Sequence, residues 1–414
     1  MANEAVTPLR GVRVLEIGST VAGPFCGRML ADFGAEVIKV EMAEGDPVRA
    51  MGKHVDGKSL YAASIFRNKK NISVDMRKPE GQALIRRLAL ASDIVVENFR
   101  PGALERWGLG YEELSKENPR LIMVRVSGFG QTGPYSKRPG YGVIAEAVSG
   151  MRHLTGDPDR PPSRVAISLT DYITGLHAAY GAAMALIARN ATGRGQVIDA
   201  ALFECAFNFM ETWIAAYEKT GHVANREGPR LPGTDPNNLY PTSDGGYIHI
   251  TAMADAIFRR LAKTMGKPEL GDDDRFATLL ARTTNYAVLD EIISEWTRTK
   301  TGKEIEALML EADVPVARIF TMADIFADPH YKARGAIISV PDPSFGTVTM
   351  AEVIPRLSAT PGRVHHTGHE TGADTRAVLG DILGLDDAEL DRLERDGIVA
   401  TKPIPRQKAK GAKS

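Results

Sequence analysis

Short apolar runs alternate with amphipathic stretches along the first 130 residues of the chain. The runs are rich in β-branched residues and bounded by turn-forming residues, which is typical of buried strands. We predict strands at 12–17, 36–40, 71–74, 94–97 and 121–126. Helical spacing follows in 18–34, where Pro24 suits a first helical turn, and in 81–91. The alternation predicts an α/β fold with a parallel sheet covered by helices.

The pattern changes within 164–210, around which the rest of the chain is organised. Residues 164–169 are apolar and β-branched, which predicts a short buried strand, and 172–189 then has helical spacing. Small residues line this helix: Gly175, Ala178, Ala179, Gly181, Ala182, Ala183 and Ala185. They let another backbone approach closely, so we expect the helix to be buried against other elements, which could belong to a second subunit. Glycines at 192–195 end the helix.

Asp171 stands at the start of this helix. Ser168, Thr170 and Asp171 can all accept hydrogen bonds from the first turn, so any of them could cap it. A carboxylate at a helix N-terminus is also stabilised by the helix dipole, and beside a cleft it can act as a nucleophile. The sequence leaves both roles open.

The second half of the chain is predicted to hold a smaller, more helical domain. A linker after residue 225 precedes a strand that follows the turn at 244–246, and helices are predicted at 255–265, 286–297 and 303–311. Strands at 337–340 and 347–350 flank a hairpin-like turn, and 387–396 is an amphipathic helix. The basic tail, 401–414, is low in apolar residues and is predicted to be disordered.

Composition restricts the class of protein further. The 414 residues are 43% hydrophobic and 25% charged, which suits a soluble protein of two domains. A net charge of −1 argues against a nucleic-acid binder. No apolar run approaches the ~20 residues of a membrane span, and the first residues lack the apolar core of a signal peptide. We therefore expect a cytoplasmic protein with no membrane partner.

The two cysteines and the histidine cluster are read as structural. Cys26 and Cys205 lie in apolar helical contexts and are expected to be core residues. His365, His366 and His369 lie in a segment rich in glycine and threonine without obvious acidic or thiol partners. A surface loop is favoured there over a zinc site, and we expect no metal.

The turn after the first strand resembles a dinucleotide site only in part. Gly18 and Gly23 flank it, and Glu41 stands where an acidic residue would hold a ribose. The spacing lacks the G-x-G-x-x-G that permits close approach of a pyrophosphate, so an NAD site is disfavoured. The basic run of Arg67, Lys69, Lys70, Arg77 and Lys78 is either a solvated face or a phosphate-binding region.

Two loops are candidates for ligand binding. Arg100, Pro101 and Gly102 turn the chain at the carboxyl end of the strand 94–97, where open α/β sheets bind ligands. The segment after the strand 121–126, GFGQTGPYSKRPGYG, is too rich in glycine and proline for regular structure. Long loops of this kind in compact domains are often functional.

Ordered motifs over nearly the whole chain resemble the class III CoA-transferases, the family of formyl-CoA:oxalate CoA-transferase, carnitine CoA-transferase and α-methylacyl-CoA racemase. The motifs include LRGVRVLEIGSTVAGPFCGRMLADFGAEVIKVE, GDPVR, RNKKNISVDMRKPEG, VENFRPGALERWG, VSGFGQTGPY, RPGYG and RVAISLTDY. The resemblance implies a large Rossmann-like domain (1–224), a small α+β domain (225–330), and a C-terminal segment (331–400) that returns to the large one. It also implies an interlocked homodimer.

The resemblance assigns the site residues and the ligands. Asp171 falls at the position of the catalytic aspartate. The positions that match CoA-binding residues are Val21, Ala22, Met42, Val74, Asp75, Met76, Arg77, Asn98, Phe99, Arg100, Arg106, Arg138, Pro139, Gly140 and Tyr141. No tightly bound cofactor is implied, since coenzyme A and acyl-CoA are substrates, together with a small carboxylic acid.

Several positions depart from the family pattern. Met42 replaces an arginine that contacts the adenine end in some members, Gly142 replaces an acidic residue, and Glu146 stands where glutamine is frequent. The glycine-rich loop of the oxalate-using branch would fall near 231–241, where only Gly233 is present, which argues against oxalate as the acceptor.

The expected activity is transfer of CoA from an acyl-CoA to a carboxylate through covalent intermediates on Asp171. One alternative is an acyl-CoA racemase, but that branch has a histidine where Tyr141 stands, and a tyrosine of ordinary pKa near 10 is a poor base at pH 7. An NAD-linked oxidoreductase or a non-catalytic nucleotide-binding protein is the remaining alternative, disfavoured by the glycine spacing.

Overall fold

A computed structural model of the protein describes residues 6–404, so 405–414 of the predicted disordered tail lie outside the described residues. The strands found there are β1 (Arg13–Glu16), β2 (Glu36–Glu41), β3 (His54–Val55), β4 (Lys58–Ser59), β5 (Lys69–Val74), β6 (Ile94–Glu97), β7 (Ile122–Ser127), β8 (Val197–Ala201), β9 (Asn237–Pro241), β10 (Tyr247–Thr251), β11 (Val316–Arg318), β12 (Ile337–Asp342), β13 (Gly346–Ala351) and β14 (Val399–Ala400).

The α-helices of the same residues are α1 (Ala22–Asp32), α2 (Leu60–Ile65), α3 (Pro79–Leu90), α4 (Ala103–Arg106), α5 (Tyr111–Glu117), α6 (Gly142–Val148), α7 (Met151–Leu154), α8 (Leu169–Thr192), α9 (Leu202–Phe207), α10 (Glu211–Thr220), α11 (Asp255–Thr264), α12 (Leu279–Thr284), α13 (Tyr286–Thr297), α14 (Gly302–Glu311), α15 (Met322–Ala327), α16 (Pro329–Ala333), α17 (Thr375–Leu383) and α18 (Asp387–Arg395). Short 3-10 helices occupy Pro47–Ala50, Asn208–Met210 and Pro268–Gly271.

The first of two compact units contains a seven-stranded sheet. Of the described residues, it takes 6–151, Val165–Ala215 and 333–404. The strand order is β14-β5-β2-β1-β6-β7-β8, and all neighbours are parallel except β14, which is antiparallel to β5. The predicted α/β fold with a large parallel sheet is therefore confirmed, as are the five strands predicted in the first 130 residues.

Helices cover both faces of this sheet. Successive side chains of a strand point to opposite faces. On β1, Val14 packs into a core with α1 and α8, whereas Leu15 packs into a core with α3, α17 and α18. Cys26 and Cys205 lie in the first of these cores as free thiols, as predicted. The continuous apolar character of the strands follows from this burial on both faces.

The small residues of α8 let it approach its neighbours closely, as predicted. A Cβ built on Gly175 would lie 2.8 Å from the Ala22 carbonyl oxygen and 2.9 Å from the Phe25 ring, both in α1. A Cβ on Gly181 would lie 3.0 Å from Ile198 in β8. Larger residues at these positions would push α8 away from the sheet.

The strand predicted at 164–169 is wrong. Residues 164–168 form no regular structure, and Val165 and Ile167 are exposed. α8 begins at Leu169, three residues before the predicted start, so Asp171 is its third residue. β-Branched residues favour a strand only where a neighbouring strand can pair with them, and none pairs with this segment within the described residues.

The basic run does not form a single exposed face, because two of its residues are buried; a phosphate-binding role for the others stays a prediction. Arg67 and Lys69 are fully buried, the first paired with Asp32 and the second with Glu16. Lys70 pairs with Glu36 and Arg77 with Asp75. Lys78 donates to the carbonyl oxygens of Asp396 and Gly397. Sequence patterning missed the pairs of Arg67, Lys69 and Lys70 because their acidic partners come from distant parts of the chain.

The C-terminal segment completes the first unit along the edge strand β5. The Asp374 amide donates to the Asn71 carbonyl oxygen, and the Asn71 amide donates to the Asp374 carboxylate at 2.7 Å. The Ser73 amide donates to the Thr375 hydroxyl, and β14 then pairs with β5. This cover protects an edge strand that would otherwise present unpaired backbone groups. α17 and β14, which build much of it, were not predicted.

The histidine cluster also has an acidic partner that the sequence did not reveal. His369 Nδ1 lies 2.8 Å from the Asp374 carboxylate, and the His366 and His369 rings stack with their centroids 4.3 Å apart. Hydrogen bonding to Asp374 raises the pKa of His369, whereas burial lowers the pKa of His366. Asp374 also bonds to Asn71 of β5, so His369 contacts the residue that joins the C-terminal segment to the sheet.

The second unit takes Arg152–Arg164 and Ala216–Lys332. Its three-stranded antiparallel sheet has the order β11-β10-β9 and packs against α11, α13 and α14 through Ile248, Phe258, Ile293 and Ile305. The three helices predicted in this region are confirmed. The limits of these two compact units differ from the predicted domain limits, which were 1–224, 225–330 and 331–400. The predicted domain limits stay predictions. No helix of residues 6–404 combines the length and the apolar character that crossing a membrane requires.

Candidate active site

A cavity of about 220 Å³ opens at the carboxyl ends of β1, β6 and β7. From β1 the strand order runs through β2 and β5 to one edge of the sheet, and through β6, β7 and β8 to the other. The cavity therefore lies at the topological switch point, where open α/β sheets bind their ligands. Its walls are the loops after these three strands, the start of α8, and Leu202.

Most of the residues predicted for the site line this cavity together. They are Val21, Ala22, Asn98, Phe99, Arg100, Arg138, Pro139, Gly140, Tyr141 and Asp171. They come from four separate parts of the chain, which the sheet brings to one edge. The guanidinium-bearing residues Arg100 and Arg138 are exposed, so the mouth of the cavity is positively charged.

Two further cavities hold most of the remaining predicted residues. One of about 300 Å³ is lined by Met42, Met76 and Arg77, and it shares Ser19 and Phe99 with the first cavity. Another of about 440 Å³ is lined by Asp75, Arg77 and the residues around β14. Because the first two cavities share Ser19 and Phe99 and the last two share Arg77, the three cavities adjoin one another in a row leading away from Asp171.

Two predicted residues lie outside these cavities. Val74 is fully buried in the core on the α3 side of the sheet, and its backbone pairs with Val399 of β14. Arg106 is exposed on α4 and lines none of these three cavities. The sequence alone did not show that Val74 and Arg106 differ from the other predicted residues, which do line these cavities.

The Asp171 carboxylate is packed against the first residue of α6. A Cβ built on Gly142 would lie only 2.1 Å from Asp171 Oδ2, and the Thr170 hydroxyl donates to the Gly142 carbonyl oxygen at 2.7 Å. Ser168 occupies the N-cap position of α8 but its side chain makes no capping hydrogen bond. The first turn of a 24-residue helix favours a negative charge. Gly142 is thus accounted for, because an acidic residue there would collide with Asp171.

The loop between β7 and α6 is held by aromatic stacking and a close backbone crossing. The Arg138 guanidinium lies 3.5 Å from the centroid of the Tyr135 ring, which meets Phe129 edge-on. A Cβ on either Gly128 or Gly140 would lie 2.7 Å from the Cα of the other. Only glycines allow this approach, which sets the path of the loop past Asp171.

The loop after β1 contributes wall residues that sequence analysis missed, namely Ser19 and Thr20. Thr20 has φ of 70°, in the left-handed region that a β-branched residue avoids. Such strain costs on the order of 1–3 kcal/mol and persists only where the surroundings hold it. The sequence carried no signal for it, since threonine is not a residue that favours this conformation.

Buried charges lie directly beneath this loop. Lys39 pairs with Asp46 at 2.9 Å and Lys69 with Glu16 at 2.6 Å, and all four side chains are almost fully buried. Burial alone would lower the pKa of Lys39, but Asp46, Glu16 and Glu41 raise it. Burial alone would raise the pKa of Glu41, but hydrogen bonds from Arg49 outweigh it and lower the pKa to about 2. Glu41 is therefore engaged within the protein rather than available to a ribose.

The fold and the site define the class of protein to which the chain belongs. Residues 9–375 match the model of CoA-transferase family III, and the chain belongs to this family. It is therefore an acyl-CoA:carboxylate CoA-transferase, whose substrates are CoA thioesters and carboxylates. The resemblance found in its motifs is confirmed.

Particular relatives extend over almost its whole length. Succinyl-CoA–D-citramalate CoA-transferase of Chloroflexus aurantiacus is 50% identical over 394 residues, which cover 95% of this chain and 98% of that protein. Human succinyl-CoA:glutarate CoA-transferase is 35% identical, covering 95% and 90%. The crystal structure of a CaiB/BaiF family protein from Brucella suis is 36% identical and has a TM-score of 0.81, covering 91% of this chain and 99% of that chain.

Proposed function

We propose that the protein moves CoA from an acyl-CoA to a carboxylic acid through covalent intermediates on Asp171. The observation that carries the proposal is the position of this carboxylate. It lies in the first turn of α8, at the switch-point cavity, among the residues that the family resemblance assigns to CoA. Covalent catalysis divides one difficult exchange into easier steps.

In the first half of the reaction, an Asp171 carboxylate oxygen attacks the thioester carbonyl carbon of the donor. The C–S bond breaks, which leaves an acyl-aspartyl anhydride and the CoA thiolate. The thiolate then attacks the Asp171 carbonyl carbon of the anhydride, expelling the donor acid as its carboxylate. The product is an aspartyl-CoA thioester, and no water or external proton is consumed.

The second half repeats these steps with the acceptor. The acceptor carboxylate attacks the aspartyl-CoA carbonyl carbon and displaces the thiolate, which gives a second anhydride. The thiolate attacks the acceptor carbonyl carbon, forming the new acyl-CoA and restoring the Asp171 carboxylate. Backbone amides near Gly140 or at the start of α8 are proposed to stabilise the oxyanions. Arg100 and Arg138 add positive charge at the cavity mouth.

We assign the CoA itself to the path of adjoining cavities. The reactive end of CoA would lie in the cavity at Asp171, and its nucleotide end would extend past Met42, Met76 and Arg77. In this scheme Asn98 holds the backbone of Ser19 rather than contacting the ligand directly. Its side-chain amide is already used by the backbone of Ser19, from which it accepts at 2.8 Å and to which it donates at 2.7 Å.

The proposed donor is succinyl-CoA and the proposed acceptor a small dicarboxylic acid. Both relatives described above are named for succinyl-CoA, one with D-citramalate and the other with glutarate as its partner. An exposed arginine pair at the cavity mouth suits a substrate with a second carboxylate. A cytoplasmic location, as expected from the sequence, completes the proposal.

The functional protein is proposed to be a homodimer, interlocked as in the family. Within the first unit, the α8 face opposite the sheet carries exposed apolar side chains at helical spacing: Leu176, Tyr180, Met184 and Ile187. Exposed apolar stripes of this kind mark protein interfaces. The small residues of α8 had already suggested that it meets other elements.

Trapping of the covalent intermediate tests the proposed chemistry. Protein mixed with succinyl-CoA in the absence of acceptor is quenched in acid, digested and analysed by mass spectrometry with and without hydroxylamine. A succinyl or CoA adduct on the Asp171 peptide, converted to a hydroxamate by hydroxylamine, is the expected result. If the same preparation transfers CoA once acceptor is added, yet shows no adduct or hydroxamate on that peptide in its absence, the proposal is contradicted.

A further inference from the structure

A buried lysine–aspartate pair connects β2 to the loop that walls the Asp171 cavity. Lys39 lies in β2 and Asp46 caps the 3-10 helix at Pro47–Ala50, and both side chains are 1% exposed. The Lys39 ammonium lies 2.9 Å from Asp46 Oδ2 and also donates to the carbonyl oxygen of Gly18, the residue before the loop. The Lys39 ammonium thus contacts both the start of the loop, at Gly18, and Asp46.

The Asp46 carboxylate holds the strained residue of the loop. Its Oδ1 accepts from the Thr20 amide at 3.1 Å and from the Val48 amide at 2.9 Å, while Lys39 neutralises Oδ2. Thr20 keeps a φ of 70°. A β-branched residue leaves this conformation unless its surroundings impose it, and the hydrogen bond from its own amide to a buried, charge-paired acceptor is such a constraint.

The loop is held from its other side by Asn98, which exchanges two hydrogen bonds with the backbone of Ser19. Ser19, Thr20, Val21 and Ala22 then face the same cavity as Asp171. Lys39 and Asp46 contact this part of the chain through Gly18 and Thr20. Neither lines the Asp171 cavity, although Asp46 lines the adjoining cavity of about 300 Å³.

We propose that Lys39 and Asp46 are positioning residues for the transfer reaction, which hold the 19–22 wall so that the thioester carbonyl meets Asp171. The proposal rests on the proposed role of Asp171. A wall displaced by about 1 Å lowers the fraction of bound substrate in reactive geometry and can cost about a hundredfold in rate. Asp46 also lines the cavity of about 300 Å³ that we assign to the nucleotide end of CoA. The positioning role is therefore measured by kcat at saturating succinyl-CoA, where binding no longer limits the rate.

A purely stabilising ion pair is the competing explanation, and the chain offers a matched control. Arg67 and Asp32 form a buried pair of the same kind, 2.6 Å apart. Arg67 lies just before β5, and Asp32 is the last residue of α1. Asp32 lines none of the cavities described above. Asp32→Asn should therefore lower the free energy of unfolding without changing kcat.

The test compares Asp46→Asn, Asp32→Asn and the double variant Asp46→Asn/Thr20→Gly. We expect Asp46→Asn to lower kcat at saturating succinyl-CoA by about 10- to 100-fold, whatever its effect on KM. Glycine adopts positive φ without strain, so Thr20→Gly should restore most of the lost kcat in the double variant. Asp32→Asn should keep the wild-type kcat.

Three results would overturn the proposal: wild-type kcat in folded Asp46→Asn, an equal loss of kcat in Asp32→Asn, or no recovery in the double variant. If Asp46→Asn alone does not fold, the double variant decides, with near-wild-type kcat as the supporting result and low kcat as the opposing one. Adduct formation separates this question from the chemistry. Wild-type protein that forms no Asp171 adduct contradicts the mechanism, whereas an adduct that forms equally fast in Asp46→Asn contradicts only the positioning role.

Discussion

At the scale of single residues, one substitution separates the proposed catalytic role of Asp171 from its structural place in the first turn of α8. Asp171→Asn keeps the size of the side chain in the first turn of α8, but an amide cannot form an anhydride. We expect a folded protein that still binds CoA and has lost transfer activity by on the order of 10³-fold or more. Steady-state assays with circular dichroism and CoA titration measure the three properties.

Asp171→Ala is the control for this variant, because asparagine can deamidate back to aspartate during storage and alanine cannot. Fresh preparations of both should be equally inactive. If both turn over at the wild-type rate while folded, Asp171 has no part in the chemistry.

Arg100 and Arg106 were predicted together as CoA contacts, and the structure places them differently. Arg100 lines the cavity at Asp171, whereas Arg106 is exposed on α4 outside it. We expect Arg100→Ala to raise KM for succinyl-CoA by about tenfold, the equivalent of ~1.4 kcal/mol of binding, with a smaller change in kcat.

Arg106→Ala is the matched control in the same assay, and we expect its KM to change by less than about threefold. A loss of kcat at unchanged KM in Arg100→Ala would contradict a binding role. A larger KM effect at Arg106 would instead restore the family-based assignment for that residue.

At the scale of secondary-structure elements, α8 serves the site at one end and a surface along its length. Its small residues face α1 and β8, whereas Tyr180 is 63% exposed in the middle of the apolar face. We expect the wild-type protein to have twice the 44.8 kDa mass of the chain by light scattering. Tyr180→Glu, which places a charge in the buried centre of the interface, should shift it to monomer.

Leu280→Glu tests whether any charge on an exposed apolar residue has this effect. Leu280 is 77% exposed on α12 in the second unit, so this variant should keep the wild-type mass. A dimeric Tyr180→Glu, or a wild-type protein that is monomeric at working concentration, would exclude the α8 face as the interface.

The contact between the C-terminal segment and β5 should respond to pH through His369. Its pKa is raised by the hydrogen bond to Asp374, so its contribution to stability is present below its unfolded pKa of about 6.5. It is lost as pH rises through the folded value. His369→Gln should lower the free energy of unfolding by less than about 1 kcal/mol near pH 5.5, after allowance for solvent screening, and by almost nothing near pH 8.5.

Denaturant unfolding at both pH values measures this difference, and His365→Gln is the control. His365 is exposed, and only its backbone amide bonds to Asn68. It should show no difference between the two pH values. A pH-independent loss in His369→Gln would mean that the ring contributes by packing alone.

At the scale of the whole molecule, prediction succeeded where information is local in the chain. Five strands of the large sheet and three helices of the second unit were predicted correctly because buried strands and amphipathic helices have periodicities that short windows record. The two-residue strands β3 and β4 are too short to show such a period. β14 was missed because its two residues form a strand only through pairing with β5. The predicted strand at 164–169 failed for the same reason, since no strand pairs with it.

The residues of the candidate site also differ in whether the sequence alone could predict them. Asp171 could be proposed from the sequence, because a carboxylate at a helix start and the surrounding motifs lie within a few residues. The pairing of Lys39 with Asp46 and of Lys69 with Glu16 could not, because it depends on which strands lie side by side. The φ of Thr20 is imposed by these contacts and not by its own preference.

The sequence by itself determined the family, the parallel sheet and the position of Asp171 in the chain, since motifs and periodicity are properties of neighbouring residues. Only the tertiary structure decided that Arg67 and Lys69 are buried partners of acidic residues rather than a surface for phosphates. It also decided which loops meet at the switch point. Charges and cavities depend on distances between remote segments, and those distances exist only once the sheet has formed.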